Sequence, residues 1–201
     1  MRTKLKYLLT ALLLIILVGL HPGLASSSEQ KTPAEVIPFI KATESLLYFA
    51  NADLNGDGLQ DYLLILEKPG SEEDGNLREL VILTRQKDRS LQLAKRNSKI
   101  VYCSKCGGGW GDPFSSENVV TDTKTFSVEN YGGGGFRWSE SFKFNYSRRD
   151  RTWQLVEAII STFNINELDS EQTKTYKPPE DFGKIDIADF DPANFLGIGP
   201  R

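Results

Sequence analysis

Between positions 136 and 146 the chain alternates with a period of two. Phe136, Trp138, Phe142, Phe144 and Tyr146 fall on one side, and Arg137, Ser139, Ser141, Lys143 and Asn145 on the other; only Glu140 breaks the pattern. Successive side chains of a β-strand point to opposite faces, so the pattern demands a long strand with one wet and one buried face. An aromatic face of that size needs a second layer to cover it, which restricts the chain to sheet architectures. Residues 62–67 and 80–84 are apolar on both faces, as strands covered on two sides are. Residues 45–52, 91–95, 100–103, 125–131 and 152–162 complete the set of expected strands, separated by Pro-Gly, Asp-Gly and glycine-run turns.

The expected fold is therefore mainly β: an antiparallel meander forming a sandwich or two blade-like sheets, with a short N-terminal helix and a C-terminal strap. The helix is read from Thr32-Pro33-Ala34-Glu35, a capping-box pattern with proline at the first helical position, and Pro38 keeps it short. The strap is the tail from Lys177, whose Phe182, Phe190 and Phe195 call for docking on a sheet rather than exposure. A partner-binding peptide is the alternative for that tail.

The N-terminus has the pattern of a secretory signal. Arg2, Lys4 and Lys6 precede an apolar run over positions 8–20, and Gly23-Leu24-Ala25 supplies small residues for cleavage after Ala25. The expected organisation is a signal peptide over 1–25, a flexible lead-in over 26–31 and a single β-rich domain over 32–201, exported to the periplasm or secreted. The apolar run is short of the roughly 20 residues of a membrane span, so no stable membrane insertion is expected after cleavage; an uncleaved anchor is the alternative. The one histidine, His21, lies in the signal. A mature chain without histidine has no Ser-His or Cys-His pair and no His-ligated zinc. Cleavage also removes three of the 24 Lys and Arg and none of the 27 Asp and Glu, leaving 21 against 27, a net charge of −6. That balance argues against nucleic acid as a partner.

The nine residues Asp53-Leu54-Asn55-Gly56-Asp57-Gly58-Leu59-Gln60-Asp61 place oxygen-bearing side chains at positions one, three, five and nine of a glycine-containing turn. Oxygen donors converging on one point suit a hard cation such as Ca2+, and three carboxylates without a cation repel one another. An EF-hand is excluded, because its twelfth position needs a bidentate glutamate and here is Leu64, inside an apolar run. The metal-free alternative is an ordinary Asn-Gly or Asp-Gly turn.

This D-x-N-x-D-G-x-x-D loop leading into an apolar strand resembles the FG-GAP/VCBS-type repeats of secreted bacterial proteins and integrin-like propellers. The resemblance implies Ca2+ held by the side chains of Asp53, Asn55, Asp57 and Asp61 and the carbonyl of Leu59. A single copy of the motif argues against a closed propeller. Beyond the loop, the order of Pro38-Phe39-Ile40, the loop itself, Cys103 to Gly108, Gly111 to Phe114 and Phe136 to Trp138 is similar to small exported bacterial proteins of unknown function. That similarity implies a β-rich fold and no established activity.

Cys103 and Cys106 form a C-x-x-C pair followed by three glycines. In an exported chain such a pair is expected as a disulfide that shapes the glycine loop. Redox chemistry is the alternative, but redox motifs of this spacing open a helix, and Gly107-Gly108-Gly109 cannot support one. Trp110, Phe114 and Tyr131 lie beside glycine loops and are candidates for a binding surface; at strand spacing the alternative is core. The expected function is a non-enzymatic, calcium-stabilised binding protein of the cell envelope, whose partner is a protein or glycan there. A thiol-disulfide or hydrolytic enzyme, a glycan-binding module and a toxin or enzyme inhibitor are the competing classes. Exposure of Trp110 discriminates the glycan class.

Overall fold

A computed structural model describes residues 31–196; the expected signal peptide, its cleavage site and most of the lead-in lie outside the described residues. Among the described residues, nine strands form two antiparallel meanders. The first sheet runs in sequence order through β1 (Ser45–Ala52), β2 (Asp61–Pro69), β3 (Asn76–Arg85) and β4 (Leu91–Asn97). The second holds β5 (Val119–Asp122), β6 (Thr125–Gly133), β7 (Phe136–Ser147), β8 (Thr152–Asn164) and β9 (Glu167–Tyr176). The expected mainly β, antiparallel two-sheet architecture is what the chain adopts.

The main core lies between the sheets. Leu63 and Ile65 of β2 and Leu80 and Ile82 of β3 share one buried cluster with Phe126, Val128, Phe142, Phe144 and Leu155 of the second sheet. The alternate residues Tyr62, Leu64, Leu66, Val81 and Leu83 face the other way, into a smaller cluster closed by Val36 and Phe39. Both faces of β2 and β3 are covered, which is why their sequences are apolar without alternation. The covering segment is a 3-10 helix, Ala34–Phe39, that contains Pro38. The capping box expected at Thr32 does not form: Pro33 is the cap residue and makes no side-chain cap bond. Glu35 instead reaches Arg85 (2.7 Å) and the Tyr62 hydroxyl (2.6 Å), pinning this layer to the sheet.

On β7 the expected inward set is correct at Trp138, Phe142 and Phe144, but Phe136 is 56% exposed at the strand end. Glu140 keeps the phase: it is fully buried between Trp138 and Phe142, and the Tyr102 hydroxyl donates to it. On β8 a bulge after Leu155 shifts the phase by one residue, which lets Leu155 and Ala158 occupy the same core.

Residues 100–103 are a correction, because they cross between the sheets instead of extending the meander. Ile100, Val101 and Tyr102 are buried there with no neighbouring strand to pair with. The Asn130 side chain substitutes for one: its Nδ2 donates to the Ile100 carbonyl (2.9 Å) and its Oδ1 accepts from the Tyr102 N–H (3.0 Å). Buried backbone groups must be paired, and here one fully buried amide does it.

The C-terminal segment docks as expected at Phe182 and Phe190, and the Phe195 side chain lies outside the described ones. Phe190 packs against Phe142 and Phe144, and Phe182, Ile185 and Ile187 are buried in the same core. Its backbone continues the edge beside the start of β8, through Leu155 N–H to the Ile185 carbonyl and Ile187 N–H to the Trp153 carbonyl. Asn97 at the end of β4 donates to the carbonyls of Ile187 (2.6 Å) and Phe190 (2.8 Å). The strap therefore laces an edge of the first sheet to the second. A short α-helix, Pro192–Leu196, follows.

Candidate functional site

The acidic turn joins β1 to β2 and wraps around its own carboxylates. Asp53 Oδ1 accepts from the N–H groups of Gly56 (2.7 Å) and Asp57 (3.0 Å), and its Oδ2 from Gly58 (2.9 Å). Asn55 Oδ1 accepts from the Asp57 N–H (2.9 Å), while its Nδ2 donates to Asp57 Oδ2 (3.0 Å). Asp57 Oδ1 accepts from the Leu59 N–H (2.9 Å). Gly56 sits at φ +73°, a backbone angle that favours glycine; a Cβ there would also push against the flexible Lys124 side chain.

The second sheet grips the turn from below. The Lys124 N–H donates to the Asp53 carbonyl (2.9 Å), Trp153 Nε1 to the Leu54 carbonyl (2.8 Å) and Arg148 Nη2 to the Gly56 carbonyl (3.0 Å). None of these three partners is signalled locally in the sequence; each comes from more than 60 positions away. The turn is thus a joint between the two sheets.

Asp61 has a different place from the other three ligand candidates. It is fully buried, with Oδ2 accepting from the Leu54 N–H (3.0 Å) and Oδ1 from the Arg85 N–H (2.8 Å). Burial pushes its carboxyl up to about 6; the two N–H groups oppose the rise, and the charges of Asp57 and Asp53 add to it. Among the described residues, the one trio of His, Cys, Asp or Glu ligand atoms within 4.8 Å of one another is Asp74, Cys103 and Cys106. The carboxylates of Asp53, Asp57 and Asp61 therefore stand wider apart than that, with Asp61 bracing the base of the turn. Asp53, Asn55 and Asp57 offer side-chain oxygens on one tight turn, and the charges of Asp57 and Asp53 bear on the buried Asp61 carboxylate.

Cys103 and Cys106 are joined in a disulfide with Cα atoms 5.1 Å apart. The loop between them is tied to the β2–β3 hairpin, through Ser104 N–H to the Asn76 carbonyl (2.9 Å) and Asn76 N–H to Ser104 Oγ (2.8 Å). A cavity of about 360 Å³ opens beside the disulfide, lined by Lys68, Arg78, Lys99, Tyr102 and Asp191 among others. The Arg78 guanidinium there is already engaged, by Glu67 (3.1 Å), Asp112 (2.6 Å) and the Tyr102 carbonyl (3.2 Å).

The three aromatic candidates come together. Trp110 is 54% exposed, while Phe114 and Tyr131 are half-buried. Tyr131 meets Trp110 edge to face at 5.1 Å, and the Arg137 guanidinium lies over the Trp110 ring at 4.5 Å. Trp110, Phe114 and Tyr131 line one cleft of about 320 Å³ together with Asp112, Glu117 and Glu129. Glu129 is half-buried, and burial raises its carboxyl above the ordinary glutamate range. Arg137, Glu117 and Glu129 are missed by sequence reasoning; strand alternation identifies Arg137 and Glu129 only as facing away from the core.

Compared with known proteins, the chain matches no family model, no curated protein and no solved structure.

Proposed function

We propose that the chain is a non-enzymatic, exported binding protein of the cell envelope, whose acidic turn takes up one structural Ca2+. The observation that carries this reading is the turn itself. Asp53, Asn55 and Asp57 are locked by six short hydrogen bonds within residues 53–59, so the oxygen donors are ordered before any cation arrives. Preorganised donors lose little freedom on binding. Asp53, Asn55 and Asp57 would hold the ion by side-chain oxygens, with the Leu59 carbonyl completing the turn and Asp61 bracing it. Bound there, the cation offsets the mutual repulsion of the carboxylates.

The turn also bridges the sheets through Lys124, Arg148 and Trp153, so a cation that firms it firms the sandwich. A ligand that binds only the folded state at 100 times its Kd stabilises by about 2.7 kcal/mol, or roughly 5–10 °C in melting temperature for a domain of this size. Thermal melts of the purified protein in calcium and in chelator test this. The rise in calcium is expected for the parent and is lost in Asp53→Ala. Superimposable melts of the parent in the two buffers reject the proposal.

A further inference from the structure

An exposed tryptophan on a rigid support is the least explained feature of the molecule. Trp138 and Trp153 are 4% and 1% exposed, whereas Trp110 is 54% exposed. Its loop is not loose. Arg78, whose side chain is 1% exposed, clasps Asp112 with both guanidinium arms, and Asp112 Oδ1 in turn accepts from the Phe114 N–H (2.9 Å). The Gly107 N–H donates to the Gly111 carbonyl (2.9 Å), the Gly133 N–H to the Gly107 carbonyl (2.8 Å), and the Tyr131 N–H to the Pro113 carbonyl (3.0 Å). The bare glycine backbones of 107–109 and 132–134 lie against each other beside Trp110 in the chain, and side chains at Gly132 or Gly133 would collide with Trp138 or the Phe136 carbonyl. An ion pair from the buried Arg78 to the exposed Asp112, a glycine-on-glycine contact and the Arg137 cation thus combine to hold one aromatic ring out in water.

We propose that this ledge is a carbohydrate-binding platform, on which Trp110 receives the apolar face of a pyranose ring while Glu117, Asn118 and Glu129 accept hydrogen bonds from its hydroxyls. An aromatic face carries partial negative charge, which attracts the weakly positive C–H groups lining one side of a sugar ring. The hydroxyls at the sugar's rim need acceptors, and the same cleft supplies two carboxylates and an amide. Its volume of about 320 Å³ is at the small end of ligand pockets, enough for a short stretch of a glycan rather than an extended protein epitope. The lining also argues against a peptide anchored by apolar side chains, because five of the nine cleft residues, Asp112, Ser115, Glu117, Asn118 and Glu129, are polar or charged. Arg137 lies over one face of the Trp110 ring, so a stacking ligand has the other face to use. The platform does not rest on the calcium reading, and it gives the envelope partner a chemical class.

The two other tryptophans are buried, so quenching of fluorescence by acrylamide reports on Trp110. The probes are the β-1,4-linked hexasaccharides of glucose and of N-acetylglucosamine, with choline as the cationic comparison, each titrated in calcium and in chelator. The expected result is that at least one saccharide shields Trp110 and binds with a Kd between about 10 µM and 1 mM. Binding by direct calorimetry should weaken at least about tenfold in Trp110→Ala and severalfold in Glu117→Gln, with Trp110→Phe retaining part of it. Shielding by neither saccharide up to about 10 mM overturns the proposal. So does unchanged affinity in Trp110→Ala, and so does shielding by choline alone, which would make the ledge a cation site. Saccharide binding that persists in chelator upholds the platform even where calcium has no effect on stability.

Discussion

Replacing Asn130 tests how the crossover between the sheets is held. In Asn130→Ala the Ile100 carbonyl and the Tyr102 N–H lose the Asn130 amide as a partner, in a region where Ile100, Val101 and Tyr102 are at most 2% exposed. Each buried polar group left unpaired costs about 1–3 kcal/mol, so the pair predicts a loss of about 2–6 kcal/mol before any cavity term. That is a large share of the roughly 5–15 kcal/mol by which domains are stable. Asn130→Asp separates hydrogen bonding from packing. A protonated aspartic acid can donate to the Ile100 carbonyl and accept from the Tyr102 N–H, as asparagine does; the ionised form would point a carboxylate at that carbonyl. Its folded pKa is therefore raised above the unfolded value of about 3.9. The sign follows: the variant keeps its full stability below the unfolded pKa and loses it as pH rises through the folded pKa. Urea denaturation of parent, Asn130→Ala and Asn130→Asp between pH 3.5 and pH 8 measures both effects. A loss under about 1 kcal/mol in the alanine variant, or an aspartate variant that tracks the parent across the pH range, refutes the reasoning.

Three further outcomes follow from other contacts. The Glu35 carboxyl is drawn down to about 2 by its bond to Arg85, with the Tyr62 hydroxyl adding to the effect. Its contribution to stability is present above the unfolded pKa and fades as pH falls from about 4.5 toward 2, a small effect for a half-exposed group that Glu35→Gln abolishes in acid denaturation curves. Trp153→Phe leaves the Leu54 carbonyl without the indole donor and opens a small void, and chemical denaturation should register a loss of about 1–3 kcal/mol. Gly133 sits at φ +102° with the Phe136 carbonyl 2.0 Å from where a Cβ would be, so Gly133→Ala should cost about 1–3 kcal/mol and increase acrylamide access to Trp138.

The strands with an apolar signal, alternating or continuous, were legible in the sequence, and those without one were not. Residues 136–146 declare their faces because one side of β7 is core; β9 is silent because, apart from Leu168 and Tyr176, it is an edge strand of Glu, Asp, Ser, Gln, Thr and Lys. Charged and polar residues are what protects a sheet edge from further pairing, so the lack of signal has a physical cause. β5 is too short, at four residues, for alternation to register. Residues 100–103 mislead because burial alone makes them apolar, while their backbone partner is a side chain on β6 thirty positions away. Thr32 misleads because tertiary pairing with Arg85 draws Glu35 away from the helix end. Glu140 reads as a break in alternation because a carboxylate is unexpected in a core; its partner Tyr102 comes from the crossover.

The acidic turn was visible as a motif, but not its grip on the second sheet, nor the separate role of Asp61. The local pattern specifies the bonds from Asp53 to Gly56, Asp57 and Gly58, all within five positions. Arg85 arrives when β2 pairs with β3, and Lys124, Arg148 and Trp153 only once the sandwich has closed. The aromatic ledge shows the same division: Trp110 and Tyr131 stand out beside their glycines, whereas Arg78, Arg137 and Glu129 acquire meaning from packing.

Calorimetric titration of calcium into metal-free protein, paired with Asp53→Asn, bears most directly on the proposed role of the turn. A single saturable site in the parent, lost or greatly weakened in Asp53→Asn while magnesium gives little heat, is the predicted result. Absence of saturable calcium binding in the parent, or equal binding by the variant, contradicts it.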